Sequence, residues 1–318
     1  MNVFSFDPAD YRQHYRDHGW IHVRQGMDAH FLEELRGFAC RPVTEHAVTG
    51  KAIAGAKTQA LYEFPSAVDF PDHLFDVVAE VGDLNRATMT LSERHIKAYD
   101  PDAAPNPTAH KDRLASQISV GLSIDVPEDS YLVLYPTDDR WPNPSNVSAE
   151  LLERLPAERH PDVVLRDAQD LRINDEPGDV VMFEGSSMWH LRRNPAGTIN
   201  LYLKFNDFGS DPLGEDPSTQ NRRDATLATL AGNDIAPRVP ALARRLDTVT
   251  HEYTRDAWRH NLLASVWNQP TLPLTRAQWE LLRRVDGTST VRELTNGGSP
   301  GNLDDVRQLA AYGVIDLL

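Results

Sequence analysis

The chain has 318 residues, of which 40% are hydrophobic and 25% charged, a composition typical of a globular protein. It carries 47 acidic and 32 basic residues, which gives a formal net charge of -15. A negative field of this size repels phosphate backbones and anionic lipid, and therefore argues against nucleic-acid and membrane-surface partners. The length suffices for one large core with a small second module, or for two ordinary domains.

Cysteine usage and hydrophobic pattern bear on the cellular compartment. The single cysteine, Cys40, cannot form an internal disulfide, which fits a reducing environment better than secretion. The N-terminus contains no apolar run of the signal-peptide type, and no stretch approaches the roughly 20 apolar residues needed to cross a bilayer. We therefore expect a soluble, cytoplasmic protein.

The N-terminal region predicts a helix, a strand and a second helix. Asp7 and Pro8 open a segment whose apolar residues have helical spacing, and Gly19 is placed to end it. The run Trp20–Val23 has strand character. Asp28 can cap the second helix, whose apolar residues fall on one side.

The middle of the chain is rich in strand signals. Apolar and polar residues alternate in short runs that are bounded by the Gly, Pro or Asn residues of turns. The predicted strands cover residues 92–99, 119–126, 131–135, 179–183 and 198–205. Short strands with such punctuation favour a sandwich or jelly roll over a parallel sheet, and the sequence contains no Gly-rich nucleotide-binding motif.

The C-terminal third has a different character. Beyond about residue 218 it is rich in Ala, Leu and Arg, which predicts helices, and residues 268–274 have the composition of a linker. The segment from Thr275 to Gln278 predicts a capping box that opens a further helix. We therefore expect an α+β protein, with a β-rich domain and N-terminal helices over residues 1–217, a helical connection over 218–267 and a small helical module over 268–318.

One H-x-D motif has a spacing that suits a metal site. Residues i and i+2 of an extended segment point to the same side, so His110 and Asp112 can reach one ion. Two imidazoles and one carboxylate on one face of a metal leave positions open, which is the geometry that non-haem iron(II) oxygenases use for co-substrate and dioxygen.

A second H-x-D motif, His160-Pro161-Asp162, is predicted to lie in a surface loop. Pro161 fixes its own backbone angle and lacks an N–H group, which suits a turn better than a strand face. A jelly roll also needs several strands between its first two ligands and its third. His190 lies 78 residues beyond Asp112 but only 28 beyond Asp162.

The motifs together resemble a known family. The stretch 176–183, EPGDVVMF, runs into Trp189 and His190, and it is similar to the turn and strand that lead to the distal histidine in the phytanoyl-CoA dioxygenase-like branch of the 2-oxoglutarate oxygenases. Residues 15–23 resemble the N-terminal entrance pattern of that family. The resemblance implies a double-stranded β-helix (jelly-roll, cupin-like) core. It also implies Fe(II), 2-oxoglutarate and dioxygen, with His110, Asp112 and His190 as catalytic metal ligands.

The co-substrate requires a cation for its distal carboxylate, because an unpaired carboxylate is costly in a partly dry site. In the family this cation is usually an arginine on the strand after the distal histidine. Here the strand offers Lys204, and alternation places Asn200 and Tyr202 on the same face. Arg192 and Arg193 are rivals, although two adjacent arginines are expected to face solvent.

Two related families differ from this sequence in the cation or in the carboxylate ligand of the site. JmjC-type oxygenases draw the cation from a strand soon after the H-x-D motif, but no lysine or arginine occurs between Arg113 and Arg140. The related iron halogenases replace the carboxylate ligand by a small residue. Because Asp112 is present, oxidation such as hydroxylation is favoured over halogenation.

Substrate contacts are predicted near the metal motif. Arg94, Lys97 and Tyr99 lie on the strand that precedes it, where they either line the mouth or belong to the sheet surface. Trp141 and Arg140 lie in the proline-rich segment 136–144, which is either a lid or an exposed connection.

The last 44 residues resemble the winged-helix tail of ribosomal oxygenases. From Thr275 onward there are five basic and six acidic residues, which does not support a nucleic-acid face. A dimer contact or packing against the core is the expected role. The expected partner is a small polar metabolite, such as an amino acid or a natural-product intermediate, with no nucleic acid or membrane and with a homodimer as an option.

Two alternatives to the oxygenase stay open at this point. One is a cupin-type metalloenzyme, an isomerase or dioxygenase that does not use 2-oxoglutarate. The other is a non-catalytic jelly-roll binding protein, in which the three metal-ligand candidates need not converge.

Overall fold

The computed structural model describes residues 2–39, 57–65, 70–137, 140–232, 234–254, 259–296 and 301–318. The expectation for Cys40 therefore lies outside the described residues. The chain divides into two compact units, Met1–Gly209 and Ser210–Leu318.

The first unit combines short helices with antiparallel strands. Its helices are α1 (Ala9–His18), α2 (Ala29–Ala39), α3 (Phe75–Gly82), α4 (Ser148–Arg154) and α5 (Pro161–Val164), with a π-helical turn over Phe70–Leu74 and a 3-10 turn over Ala157–Arg159. Its strands are β1 (Trp20–Val23), β2 (Lys57–Leu61), β3 (Thr90–Tyr99), β4 (Ile118–Asp125), β5 (Tyr131–Tyr135), β6 (Leu171–Ile173), β7 (Val180–Phe183), β8 (Trp189–Arg193) and β9 (Ile199–Asn206).

The strands of this unit form two sheets. One has six strands in the order β1-β7-β4-β9-β3-β2, and the other has three in the order β6-β5-β8. All the pairings in both sheets are antiparallel. From β7 onward successive strands alternate between the sheets, because β7 and β9 lie in the first and β8 in the second.

The two faces of the six-stranded sheet differ in polarity. One face is apolar and packs with side chains of the N-terminal helices in a single core cluster, which includes Val120, Leu122, Leu201, Leu203, Phe205, Phe31, Leu35 and Val78. The alternate positions of the same strands carry polar side chains that are also buried, among them Ser119, Ser123, Asn200 and Lys204. This alternation with both faces covered is what a strand between two layers requires.

The predicted N-terminal elements are confirmed. Helix α1 ends at Gly19, which has the left-handed conformation (φ 75°) that favours glycine and whose N–H bonds to the Tyr15 carbonyl. Asp28 caps α2, because its Oδ1 accepts from the N–H of His30 at 2.9 Å and of Phe31 at 3.2 Å. The predicted strands of the middle region are also observed, with ends shifted by one or two residues.

The second unit is less helical than the sequence predicts. Its helices are α6 (Pro217–Ala231), α7 (Arg276–Leu282), α8 (Val291–Thr295) and α9 (Leu303–Tyr312). Its strands are β10 (Pro240–Leu242), β11 (Leu246–Thr254), β12 (Arg259–Val266), β13 (Leu272–Pro273) and β14 (Ile315–Leu317). A capping box is present at Thr275 and Gln278, as predicted.

Two expectations for this unit were wrong. The segment 218–267 is not a helical connection throughout, since β11 and β12 pair over most of its second half. The segment 268–274 is not simply a linker, because β13 pairs with β12. Composition rich in Ala, Leu and Arg concealed a run of Thr and Val in β11, residue types that favour strands once a partner strand is present.

No helix in the part of the chain that the structure describes is long and apolar enough to cross a membrane.

Candidate metal centre

Three side chains that can bind a metal converge in the first unit. The ligand atoms of His110, Asp112 and His190 all lie within 4.8 Å of one another, and among the described residues this is the cluster that could hold an ion. The backbones of His110 and His190 bond to each other in both directions, with both N–H···O distances at 2.9 Å. This bridge places the two imidazole rings 4.4 Å apart between centroids.

The ring of His190 is oriented by its neighbours. Its Nδ1 lies 3.0 Å from the Met188 carbonyl oxygen, so a proton on Nδ1 is donated there and the lone pair is left on Nε2. Nε2 lies 3.7 Å from Oδ2 of Asp112. The Phe183 ring packs edge-on against the imidazole at 4.7 Å between centroids. His190 therefore presents the nitrogen that a metal would use.

Asp112 lies in the loop between β3 and β4, where backbone contacts hold it in place. Its N–H donates to the Gly185 carbonyl at 2.9 Å, and its own carbonyl accepts from Nδ2 of Asn143 at 3.0 Å. The side-chain Oδ2 accepts from Oγ of Ser119 at 2.6 Å and from Nζ of Lys204. The carboxylate is thus bound to two strands of the six-stranded sheet.

Gly185 makes this arrangement possible by its lack of a side chain. A Cβ atom there would lie 2.8 Å from Oδ2 of Asp112 and 2.9 Å from the Ser116 carbonyl oxygen, and would collide with Oγ of Ser119. Any larger residue must displace the carboxylate or its hydrogen-bond donor. This position requires glycine because the backbone approaches Asp112 and Ser119 too closely for a side chain.

The electrostatics favour the metal-binding protonation states. Burial raises the pKa of Asp112, but the charge of Lys204, followed by the nearby histidines, outweighs it and holds that pKa well below its ordinary value. Burial, reinforced by His190, holds the pKa of His110 well below its usual range. Burial also lowers the pKa of His190. A carboxylate and two neutral imidazoles are the forms that coordinate metals.

The polar face of the six-stranded sheet continues beyond the triad as a group of ion pairs. Nζ of Lys97 lies 2.8 Å from Oε1 of Glu93, and Nη2 of Arg113 donates to Oε2 of Glu93 at 3.0 Å. Burial opposes ionisation of Glu93, yet the charge of Lys97 and then those of His95 and Arg113 hold its pKa well below the ordinary value. Cations therefore surround the single carboxylate at this point.

The residues expected to bind the co-substrate lie on this face. Asn200, Tyr202 and Lys204 are all buried, as alternation along β9 predicts. Lys204 contacts the candidate metal ligand Asp112, whereas the amino group of Lys97 lies 5.0 Å from the centroid of the Tyr202 ring. Lys97, expected among the substrate contacts, is therefore placed beside the co-substrate candidates.

The two adjacent arginines of β8 differ from each other. Arg192 is buried and its Nη2 lies 2.7 Å from Oδ2 of Asp175, so the expectation that both arginines face solvent was wrong for Arg192. Neighbouring residues in a strand point to opposite sides, and Arg192 shares the side of His190. Arg193 instead donates to Oδ1 of Asn106 at 2.6 Å on the outside.

The remaining substrate candidates are separated from one another. Arg94 lies on the face of β3 opposite Lys97 and Tyr99, where it pairs with Glu63, so it does not join them at the site. Tyr99 ends β3 and is half-buried.

Trp141 lies in the loop that follows β5. The buried amino group of Lys111 is 4.0 Å from the centroid of the Trp141 ring and donates to the Trp141 carbonyl at 2.8 Å. Arg140 donates to the His18 carbonyl at 2.8 Å. The described part of this loop is therefore tied down at two points.

The second H-x-D motif is placed apart from the triad. The motif does not lie in a loop as predicted, because Pro161 begins α5, but the Asp162 side chain is 78% exposed. His160 Nδ1 lies 3.6 Å from Asp162 Oδ2, but neither belongs to the metal-binding cluster.

Several polar residues around the triad were not identified from the sequence. Glu93 and His95 share the inner face of β3 with Lys97, and that alternation was available as a signal. Ser119 and Gly185 had no signal in the sequence, because their roles depend on how the loop before β4 meets the loop after β7. Lys57 was missed because the short strand KTQAL has no pronounced alternation.

Comparison with protein-family models gives no match, and comparison with curated proteins gives none either.

Several solved structures resemble part of the chain at low sequence identity. The non-heme alpha ketoglutarate dependent epimerase SnoN from nogalamycin biosynthesis is 16% identical, with 63% of this chain and 82% of that chain covered and a TM-score of 0.46. A Pseudomonas putida prolyl-4-hydroxylase is 15% identical, with 63% and 98% covered and a TM-score of 0.41. HygX from Streptomyces hygroscopicus, with nickel, 2-oxoglutarate and hygromycin B bound, is 13% identical, with 64% and 89% covered and a TM-score of 0.42.

Proposed function

We propose that this chain is a non-haem iron(II) oxygenase that uses 2-oxoglutarate and dioxygen to hydroxylate, or otherwise oxidise, a small-molecule substrate. The observation that carries the proposal is the convergence of His110, Asp112 and His190 within 4.8 Å, beside a polar face rich in cations. Two imidazole nitrogens and one carboxylate suit ferrous ion and leave coordination positions open. A structural zinc site would instead be closed by four protein ligands.

We further propose a double-stranded β-helix core and a relationship to the phytanoyl-CoA dioxygenase-like branch. The strand order supports the first, since His110 bridges to β8 in the small sheet whereas β3 and β4, on either side of it in the chain, lie in the large one. The Pro-Gly-Asp turn supports the second, because it directly precedes β7 and its Gly178 has a φ of 97°.

The chain's own residues prepare the site for a metal in two ways. Ser119 and Lys204 hold the Asp112 carboxylate in one orientation and keep it ionised. The Met188 carbonyl fixes the proton of His190 on Nδ1. Ferrous ion bound there would supply the redox chemistry that reduces dioxygen and oxidises the co-substrate and substrate. For the distal carboxylate of 2-oxoglutarate we propose Lys204, with Asn200 and Tyr202 beside it.

The test is anaerobic titration of the metal-free protein with Fe(II), with and without 2-oxoglutarate. We expect one equivalent of iron to bind, and a ketoacid-to-iron charge-transfer band to form only when both are present. Admission of dioxygen should then produce succinate. A variant with His190→Ala should show neither signal, whereas His160→Ala should behave as wild type. Failure of the wild-type protein to bind iron would overturn the proposal.

A second candidate is a metalloenzyme of cupin type that does not use a ketoacid. The observation that favours it is the direct contact between Lys204 and Asp112, because an ammonium group already paired is less available to a co-substrate carboxylate. Lys204→Met separates the two functions. If Lys204 binds 2-oxoglutarate, its removal weakens ketoacid binding at least tenfold. Under the second function, the protein turns over its substrate without any ketoacid, and loss of Lys204 leaves no ketoacid binding to be weakened.

The non-catalytic binding protein is the weakest of the three alternatives, since it gives no reason for the triad to converge. For partners we propose a small-molecule substrate and retain a homodimer as the arrangement to test by light scattering.

A further inference from the structure

Lys57 lies at the edge of the polar face that carries the triad. It begins β2, the outer strand of the six-stranded sheet, and its backbone is paired with Tyr99 of β3. Alternation puts Lys57 on the same side as Gln59, whose Oε1 lies 3.2 Å from Nδ1 of the buried His95. The side chain of Lys57 therefore belongs to the same face as the site.

The ammonium group of Lys57 has no acidic partner among the residues that the structure describes. It is half-buried and lies 5.3 Å from the centroid of the Tyr99 ring. Burial, followed by repulsion from Lys97, lowers the pKa of Lys57 to about 8. A partly desolvated cation without a counter-ion costs free energy, which an anionic ligand would recover.

The two carboxylates on this face, Glu93 and Asp112, attract Lys57 but are already paired with other cations. Lys97 and Arg113 share the one carboxylate of Glu93, and Lys204 is paired with Asp112. With Lys57, four cations face two carboxylates in the described part of the site. Three of the five lysines of the chain are gathered on this single face, although the chain as a whole is acidic.

A bound metal dication and a ketoacid dianion would cancel each other and leave this excess of two positive charges. An anionic second ligand would offset part of this excess. We propose that the primary substrate carries a carboxylate and that the ammonium group of Lys57 pairs with it. This inference rests on the proposed function, because it names the substrate class of the same site.

The experiment compares Lys57→Met, which keeps the length of the side chain and removes the charge, with wild type and with Lys57→Arg. Exposed Arg166→Met is the control for loss of one positive charge. The probes are benzoate and its neutral counterpart benzamide, titrated into nickel-loaded protein saturated with 2-oxoglutarate and followed by saturation-transfer NMR. The same probes are titrated into metal-free protein, since Lys57 is not one of the triad residues.

We expect wild type, Lys57→Arg and Arg166→Met to bind benzoate at least tenfold more tightly than benzamide, and Lys57→Met to lose that preference. Equal binding of the two probes to wild type, or an unchanged preference in Lys57→Met, would overturn the inference.

A separate arm identifies the source of the carboxylate. 2-Oxoglutarate and 2-oxopentanoate, which lacks the distal carboxylate, are titrated into nickel-loaded wild type and Lys57→Met by calorimetry. We expect both variants to bind 2-oxoglutarate within about threefold of each other. If Lys57→Met weakens 2-oxoglutarate at least tenfold and leaves 2-oxopentanoate unchanged, then Lys57 serves the co-substrate and the inference about the substrate is overturned. Wild type could also fail to bind nickel or ketoacid and still prefer benzoate in the metal-free protein. That result would overturn the oxygenase proposal and not the role of Lys57.

Discussion

Lys204 donates a hydrogen bond from Nζ to Oδ2 of Asp112, so a candidate metal ligand is half of a buried ion pair. The Lys204 side chain is 4% exposed and that of Asp112 is 12% exposed. A pair this deeply buried is costly to break at one end, because the remaining charge is left without a partner.

Asp112→Ala should therefore lower the free energy of unfolding as well as abolish metal binding. We expect a loss of about 3 kcal/mol, since one buried charge remains unpaired. The double variant Asp112→Ala with Lys204→Met should recover most of that loss and still bind no metal. Urea unfolding and metal titration of the three proteins provide the measurement. Equal stability of the single and double variants would contradict the ion-pair account.

Gly185→Ala should weaken metal binding without unfolding the protein. The added methyl group collides with the Ser119 hydroxyl and lies 2.8 Å from the Asp112 carboxylate, so the ligand must move. We expect the metal dissociation constant to rise at least tenfold, as measured by competition with a chelator.

Gly37→Ala is the matched control for this substitution, because no atom lies within 4 Å of the Cβ it would add in α2. It should leave metal affinity unchanged and stabilise the protein by roughly 0.5 to 1 kcal/mol, as expected for Gly to Ala within a helix. Equal metal affinity in Gly185→Ala and Gly37→Ala would show that the close approach at Gly185 does not matter.

Asp179 should make the stability depend on pH in the acid range. Burial raises its pKa, but hydrogen bonds from His22 Nε2 at 2.8 Å and from the N–H groups of Gln25 and Glu176 lower it below the ordinary value. The ionised form is thus favoured by folding. Its contribution is present above the unfolded pKa of about 4 and is lost as pH falls through the lower, folded value.

Asp179→Asn should consequently be less stable than wild type at pH 6. The difference should shrink as the pH falls from about 4 through the lower, folded pKa of Asp179, below which both side chains are uncharged. Denaturant unfolding at several pH values measures this difference. Asp102→Asn, at an exposed position, is the control and should track the wild type throughout. A difference between Asp179→Asn and wild type that is constant with pH would be inconsistent with the ionised hydrogen bonds.

Thr275→Ala should destabilise the second unit locally. Oγ1 of Thr275 accepts from the Gln278 N–H at 3.1 Å, and Oε1 of Gln278 accepts from the Thr275 N–H at 3.0 Å. Loss of this cap should cost about 1 kcal/mol. Hydrogen exchange of α7 should become faster, whereas Thr229→Ala, within α6, should have no such effect on α7.

Local patterns predicted the N-terminal elements and most strands of the first unit, because caps and alternation are short-range signals. Alternation also placed Asn200, Tyr202 and Lys204 on one face correctly. The contact of Lys204 with Asp112 could not be predicted, since it depends on the register of β9 and β4, in which Lys204 lies opposite Ser119. Choosing between the two H-x-D motifs was feasible because Pro161 argues against a strand, and the structure places it at the start of α5.

The strands and the buried arginine that the sequence did not predict depend on contacts between segments that are distant in the chain. The strand Lys57–Leu61 lacks a hydrophobic pattern, and its position is fixed by pairing with β3. Similarly, β11 and β12 pair with each other within a segment whose overall richness in Ala, Leu and Arg predicted helix. Arg192 was expected at the surface, but Asp175, seventeen residues earlier in the chain, provides a buried counter-ion for it.

The triad draws its members from both sheets of the first unit. Asp112 is fastened to β4 and β9 of the larger sheet through Ser119 and Lys204, whereas His190 belongs to β8 of the smaller one. An ion held by all three side chains would act as a cross-link between the two layers. Occupancy and thermal melting would then be thermodynamically linked, with the melting temperature rising as free metal exceeds its dissociation constant.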